Sequence, residues 1–122
     1  MYSQKVMNHF LHPRNVGSLD AGAGVGSGTA ENPDCGDTVI LDVQVAGGAV
    51  TAARFRSTGC AGAIACCSAV TEWLIGRSVV ESAAVDAAAV ENHLGGLPAS
   101  KRGCAAMAAA AARAAVAAAS GA

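Results

Sequence analysis

The sequence predicts an α+β domain in which helices pack on one face of a small antiparallel sheet. Three observations predict it: a leading helical stretch, two alternating segments joined by Gly47-Gly48, and a change to helical periodicity after Gly59. In "SQKVMNHFLHP", Val6, Met7 and Phe10 fall at helical spacing, Ser3 is placed to cap, and Pro13 ends the helix. From Asn15 to Gly36 the chain is rich in Gly, Asn, Asp and Ser, which reads as loop with at most one short strand over Gly24 to Ala30. "TVILDVQV" sets Val39, Leu41, Val43 and Val45 on one face and Asp42 and Gln44 on the other. Gly47-Gly48 is a hairpin turn signal, and "AVTAARFRST" supplies the returning strand. Beyond it Ala63, Ile64, Val70, Trp73 and Leu74 recur at helical intervals, with Gly76 as the C-terminal stop. Ser78 and Asp86 each lead a short helix, "GGLP" breaks the chain, and a final helix runs from about Lys101 to Ala119. That last helix is built almost entirely of alanine, the best helix former.

At 122 residues the chain is read as one domain, 1–122, with a real but modest core. It is 52% hydrophobic, but alanine supplies much of this and aromatics only 3%, so Val, Leu and Ile must carry the core. At roughly 25 cal/mol per Å² of buried apolar surface, that predicts ordinary, marginal stability. Eight basic residues oppose nine acidic ones for a net charge of −1, with no block of like charge. Nothing resembles a phosphate-binding stripe, which argues against a nucleic-acid partner. The alanine-rich tail carries Arg113 and lacks leucine, so it reads as a soluble helix and no membrane association is expected. "MYSQKVMNHF" has no secretory pattern, and the expected compartment is the cytoplasm. Cytosolic cysteines are more often ligands or reactive thiols than disulfides, and the count of five is odd.

Three of those thiols stand at the ends of expected elements. Cys35, in "NPDCGD", precedes the first well-marked strand. Cys60, in "STGCAG", lies at the turn from strand to helix, and Cys104, in "KRGC", near the start of the last helix. At such places side chains converge and solvent reaches them. Asp37 lies two residues from Cys35, so in an extended segment both point to one side. Three thiolates and a carboxylate suit a four-ligand site for zinc or for an iron–sulfur cluster. A helix start also favours the negative charge of a thiolate, which serves Cys60 and Cys104. Against this, isolated cysteines are often small buried hydrophobes, and no CxxC pair is present. The residues alone leave both readings open.

The segments "SQKVMNHFLHPRNVGSL", "NPDCGDTVILDVQV", "ARFRSTGCAGAIACCSAVTEWLIGRS" and "LPASKRGC" resemble the U-type iron–sulfur cluster assembly scaffolds. This is the IscU family, shared with the N-terminal domain of NifU. The similarity runs from Tyr2 to about Ala115 in the family's order. It implies a three-stranded antiparallel sheet flanked by several helices, SufE/NifU-like, and so supports the weak strand near residues 24–30. It implies that Cys35, Cys60 and Cys104 ligate the cluster and accept sulfur, with Asp37 as the carboxylate that shapes assembly and lability. The implied function is assembly of a [2Fe–2S] cluster and its transfer to recipient apo-proteins, not enzymatic turnover. The implied partners are a cysteine desulfurase, iron and electron donors, and a Hsp70-type chaperone read through Leu97 to Lys101. Zinc is expected in the cluster-free protein, and the expected state is a monomer or weak homo-oligomer. The chemistry is consistent: three thiolates with one weaker oxygen ligand let a cluster be built and then released. A zinc-dependent persulfide acceptor of the SufU type is the alternative. Such proteins carry an insertion between the second and third cysteines for which this chain has no room.

The chain departs from the family pattern in three places. Gly103 stands where many relatives have histidine before the third cysteine, so Asp37, water or an exogenous thiol must complete the site. The chaperone motif Leu-Pro-Pro-Val-Lys becomes "LPASK", matched at Leu97, Pro98 and Lys101 but not at Ala99 and Ser100. Cys66 and Cys67 are extra. Cys67 lies about 10 Å along a helix from Cys60, too far to share one metal, so both read as core residues. Among the other polar residues, His9 and His12 are expected to cap or pack at the surface, and His93 to face solvent. Arg14 and Asn15 fall in a segment that the resemblance links to desulfurase contact, and otherwise form a turn. Lys101 and Arg102 are placed to attract an anionic persulfide or cluster, and Trp73 is expected in the core.

Overall fold

The computed structural model describes residues 2–32 and 36–121. Helix α1 (Gln4–Leu11) opens the chain, and the Ser3 hydroxyl accepts from the Val6 amide at 3.2 Å, the expected cap. Strands β1 (Val25–Asn32), β2 (Asp37–Ala46) and β3 (Ala49–Ser57) form one antiparallel sheet in the order β1-β2-β3. Gly47 and Gly48 both take positive φ, 60° and 77°, as a two-residue turn of the hairpin's handedness requires. The register then slips between Gln44 and Val45, where Thr51 of β3 is the extra residue of a bulge near the turn. Helix α2 (Ala61–Leu74) follows, then short α3 (Val79–Ala83) and α4 (Ala87–His93), a 3-10 turn (Ala99–Lys101) and α5 (Arg102–Ala119). Ser78 and Asp86 cap α3 and α4 by accepting from Glu81 and Ala89 amides at 3.1 and 2.9 Å. No helix among the described residues is long and apolar enough to cross a membrane.

The expected α+β architecture is the observed one, and β1 is longer than the weak strand read from the sequence. Its residues alternate poorly in hydrophobicity because glycine, not valine, faces the core. A Cβ placed at Gly26 or Gly28 would lie well under 3.0 Å from backbone atoms of α5. The two glycines therefore let the alanine helix settle directly onto the sheet. Val39, Leu41 and Val43 of β2 are fully buried beneath α5 and α2, as the alternation predicts. Cys66 and Cys67 are also fully buried, and burial pushes both thiols far above their ordinary pKa. They are core residues. Trp73 is half-buried against that core, with the Arg77 guanidinium 3.9 Å from its ring centroid.

Asp42 corrects the expectation of a polar, solvent-facing side for β2. Only 3% of it is exposed, because neighbours converge over the carboxylate. Ser27 Oγ donates to it at 2.6 Å, the Leu19 amide at 3.0 Å, and Arg56 Nη2 stands 3.4 Å away. The carboxylate thus ties the loop after α1 to all three strands.

Candidate functional site

Three element ends meet at one edge of the molecule. Asp37 is the first residue of β2, Cys60 caps α2, and Cys104 lies in the first turn of α5. One ligand atom from each, a carboxylate oxygen and two sulfurs, lies within 4.8 Å of the others. A metal bonding sulfur at ~2.3 Å and carboxylate oxygen at 2.0–2.2 Å needs its ligands gathered on about this scale. The expected convergence of Asp37, Cys60 and Cys104 is therefore present. Cys35 lies outside the described residues.

Local sequence explains the approach. Gly59 has no side chain, and a Cβ there would lie 2.9 Å from Asp37 Cγ and collide with the Ala63 methyl. Its absence lets the Asp37 carboxylate reach the N-terminus of α2, where Oδ2 accepts from the Cys60 amide at 3.4 Å. Gly62 makes similar room near the start of the helix. A Cβ at that position would stand 3.6 Å from Cys104 Sγ and 3.3 Å from both Tyr2 Oη and Lys101 Cδ.

The expectation that solvent reaches every cysteine of the site needs correction. Cys60 is half-buried, whereas Cys104 is 2% and Asp37 7% exposed. Cys104 is covered where α5 packs on α2, so the open side of the site is the Cys60 side. Lys101 sits there, with Nζ 3.7 Å from Cys60 Sγ. Its pKa is raised, first by Cys60 and next by Tyr2. Arg102 does not join it: its guanidinium pairs with Glu91 at 3.2 Å, away from the sulfurs. One neighbour has no signal in the sequence. Asn32, 8% exposed at the end of β1, pairs with Asp37 across the sheet, and its Nδ2 lies 3.1 Å from where a Cβ at Gly103 would be.

A second group of ligand-type side chains forms at the other end of α2. His9, Glu72 and His93 each place a ligand atom within 4.8 Å of the others. His9 is not a surface or capping residue as expected but only 3% exposed, and its Nδ1 is 2.7 Å from the buried Ser68 Oγ. Burial, and then the Arg14 charge, hold its pKa below the ordinary value. His93 does not face solvent freely either, since its Nε2 lies 2.6 Å from Glu72 Oε1. That bond is the main reason the Glu72 carboxyl titrates below its usual range. His12 is exposed, as expected. Arg14 and Asn15 lie in a bend of the chain after α1. The Arg14 guanidinium bonds back to the His12 carbonyl and the Asn8 side chain. Asn15, at φ 62°, donates to Thr71 Oγ1 at 3.2 Å.

Residues 1–121 match the family model described as the NifU-like N terminal domain. Over 116 residues the chain is 41% identical to iron–sulfur cluster assembly scaffold protein IscU 1 of Archaeoglobus fulgidus, covering 95% of this chain and 74% of that protein. Over 86 residues it is 46% identical to the scaffold protein IscU of Escherichia coli K12, covering 69% and 67%. Among solved structures, a candidate iron–sulfur cluster assembly scaffold for the SUF system of Fervidobacterium islandicum superposes with a TM-score of 0.70. It is 18% identical, with 94% of this chain and 96% of that one covered. The N-terminal portion of a NifU-like protein of Brucella abortus gives a TM-score of 0.61 at 19% identity, covering 90% and 76%. These two share the fold.

Proposed function

Because the chain belongs to the NifU-like N-terminal domain family, we propose that it is a scaffold on which an iron–sulfur cluster is assembled and from which it is passed on. The single observation that carries this reading is the gathering of Asp37, Cys60 and Cys104 donors within 4.8 Å at the ends of three elements. In this proposal Cys35, Cys60 and Cys104 supply thiolates and Asp37 the weaker oxygen. The cluster is the cargo, of the [2Fe–2S] type. Sulfur arrives as persulfide from a cysteine desulfurase, and Cys60 is the sulfur such a donor reaches first, because it alone among the described site thiols is partly exposed. The Lys101 ammonium 3.7 Å away attracts an incoming sulfur anion. Each sulfane sulfur takes up electrons to become sulfide, partly from ferrous iron and partly from an electron donor. Asp37, held by the Cys60 amide, presents an oxygen that binds iron less firmly than a fourth thiolate would, which favours release to recipient apo-proteins. The protein is in this reading a carrier and template, not an enzyme. Leu97 packs against the core and Lys101 faces Cys60, so a chaperone gripping this segment would pull directly on the site.

Anaerobic reconstitution with iron, cysteine and a cysteine desulfurase tests the proposal by visible and Mössbauer spectra. A labile [2Fe–2S] spectrum, lost in Cys35→Ser, Cys60→Ser and Cys104→Ser, supports it. Persulfide on a zinc-loaded protein that never builds a cluster overturns it in favour of the sulfur-acceptor reading.

A further inference from the structure

We propose that His9, Glu72 and His93 form a second metal site, for a zinc-like divalent cation, separate from the sulfur-rich one. Glu72 lies twelve positions beyond Cys60 on the same straight helix, so the two sites stand about 18 Å apart. One ion cannot serve both.

The donor set is two imidazoles and one carboxylate, a combination that holds zinc with a fourth position left for water. Tetrahedral bonds of about 2.0–2.1 Å set ligand atoms roughly 3.3 Å apart. His9 Nε2 stands 3.6 Å from Glu72 Oε1 already. His93 Nε2 is nearer, at 2.6 Å from the same oxygen, and must retreat by under 1 Å to admit an ion in place of a proton. It has the freedom to do so, because its side chain is 27% exposed and it ends a short helix.

The surroundings orient the ligands as a metal site does. A ligating histidine ordinarily has its other ring nitrogen held by a hydrogen bond. His9 meets this condition: its Nδ1 is 2.7 Å from Ser68 Oγ, and that oxygen already accepts from the Arg14 amide at 2.9 Å. Arg14 Nε stands 3.7 Å from Glu72 Oε2, which turns Oε1 toward the two imidazoles. The arginine also places a positive charge nearby, so the site should be of moderate affinity. A cleft of about 450 Å³, lined by Gln4, Lys5, Asn8, His9, Arg14 and Glu72, opens beside it and leaves room for the fourth ligand. The three ligands come from α1, α2 and α4, so an ion here clamps the first helix to the body of the domain.

Cobalt(II) titration of the intact chain tests the inference, because thiolate ligands give intense near-ultraviolet charge-transfer bands and imidazole or carboxylate ligands do not. The expected result is a cobalt equivalent with visible ligand-field bands and no added thiolate absorption, competed away by zinc. In His93→Ala and Glu72→Gln the affinity of that equivalent should fall by about 100-fold, and in Ser68→Ala by roughly 10-fold, the scale of an outer-shell loss. His93 is half-exposed, so His93→Ala tests the site even where a buried substitution disturbs folding. Cobalt that binds only with thiolate bands, or a thiolate-free equivalent unchanged in both His93→Ala and Glu72→Gln, overturns the proposal. Neither result depends on whether a cluster forms at Cys60.

Discussion

A single methyl group at Gly28 tests the packing from which the site is hung. A Cβ there would meet the Ala115 amide nitrogen at 2.5 Å and the Ala114 methyl at 2.9 Å, with the Ala111 carbonyl oxygen nearer still. Most of these obstacles are backbone, and alanine has no rotamer to turn aside, so α5 itself must recede by about 1 Å. Overpacking of this kind costs ~1–3 kcal/mol, and the upper end applies where nothing can yield. Restricting the unfolded chain returns about 0.4–1 kcal/mol. The net loss is about 2 kcal/mol, which for a chain of this size lowers the melting midpoint by roughly 6–12 °C. Thermal melts followed by circular dichroism measure it. Gly22→Ala is the control, since its Cβ meets nothing within 4 Å and its φ is ordinary; its midpoint should hold or rise slightly. Because α5 also carries Cys104, Gly28→Ala should lower the yield of reconstituted cluster as well as stability. A Gly28→Ala midpoint equal to or above that of the parent chain would refute the close-packing argument.

Three further outcomes follow from the same structure. Asp42→Asn removes the charge from a buried acceptor of the Ser27 hydroxyl and the Leu19 amide, and should cost ~2 kcal/mol in urea unfolding; an unchanged midpoint would show that the charge adds nothing to these bonds. Iodoacetamide at neutral pH should label Cys60 in the native chain and leave Cys66 and Cys67 untouched until it unfolds, since both are fully buried with their thiols driven upward; peptide mass spectrometry decides. The metal-free protein should lose stability as pH falls. His9 titrates below its unfolded value of 6.5, so its contribution is complete above that pH and fades as pH drops through the folded pKa. Glu72, lowered from 4.5 mainly by the His93 hydrogen bond, adds a second loss at more acid pH. Urea midpoints that stay level as pH falls below 6.5 would contradict the His9 assignment, and the lack of a further fall below pH 4.5 would contradict that of Glu72.

What was legible in the sequence was what local chemistry dictates. Ser3, Ser78 and Asp86 caps, the Gly47-Gly48 turn and the alternation of Val39, Leu41 and Val43 each depend on neighbours a few residues away, and each stands as read. β1 was nearly invisible because its inward positions are Gly26 and Gly28, whose fit to α5 is a long-range property that no periodicity records. Asp42 misled for a related reason: its partners Leu19, Ser27 and Arg56 come from three separate segments. The same division holds for the sites. Cys60 and Cys104 could be placed at helix starts from the sequence and grouped with Asp37 by ligand chemistry, and the family resemblance decided between that grouping and buried core thiols. His9, Glu72 and His93 lie on three helices with no shared motif, so only the packing of α1 and α4 against α2 assembles them. Burial of Cys104 was missed because it depends on the packing of α5 against α2, elements far apart in the chain.

The pairing of Gly103 with Asn32 bears on how the scaffold responds to acidity. Histidine is the side chain whose charge changes between about pH 5 and 8. At this corner of the site the chain has a residue with no side chain, and beside it a carboxamide, which carries no charge at any physiological pH. An imidazole in that place would have offered a basic nitrogen able to bind iron when neutral and to let go when protonated. With glycine and asparagine there, mild acidification has no such handle at that corner among the described residues.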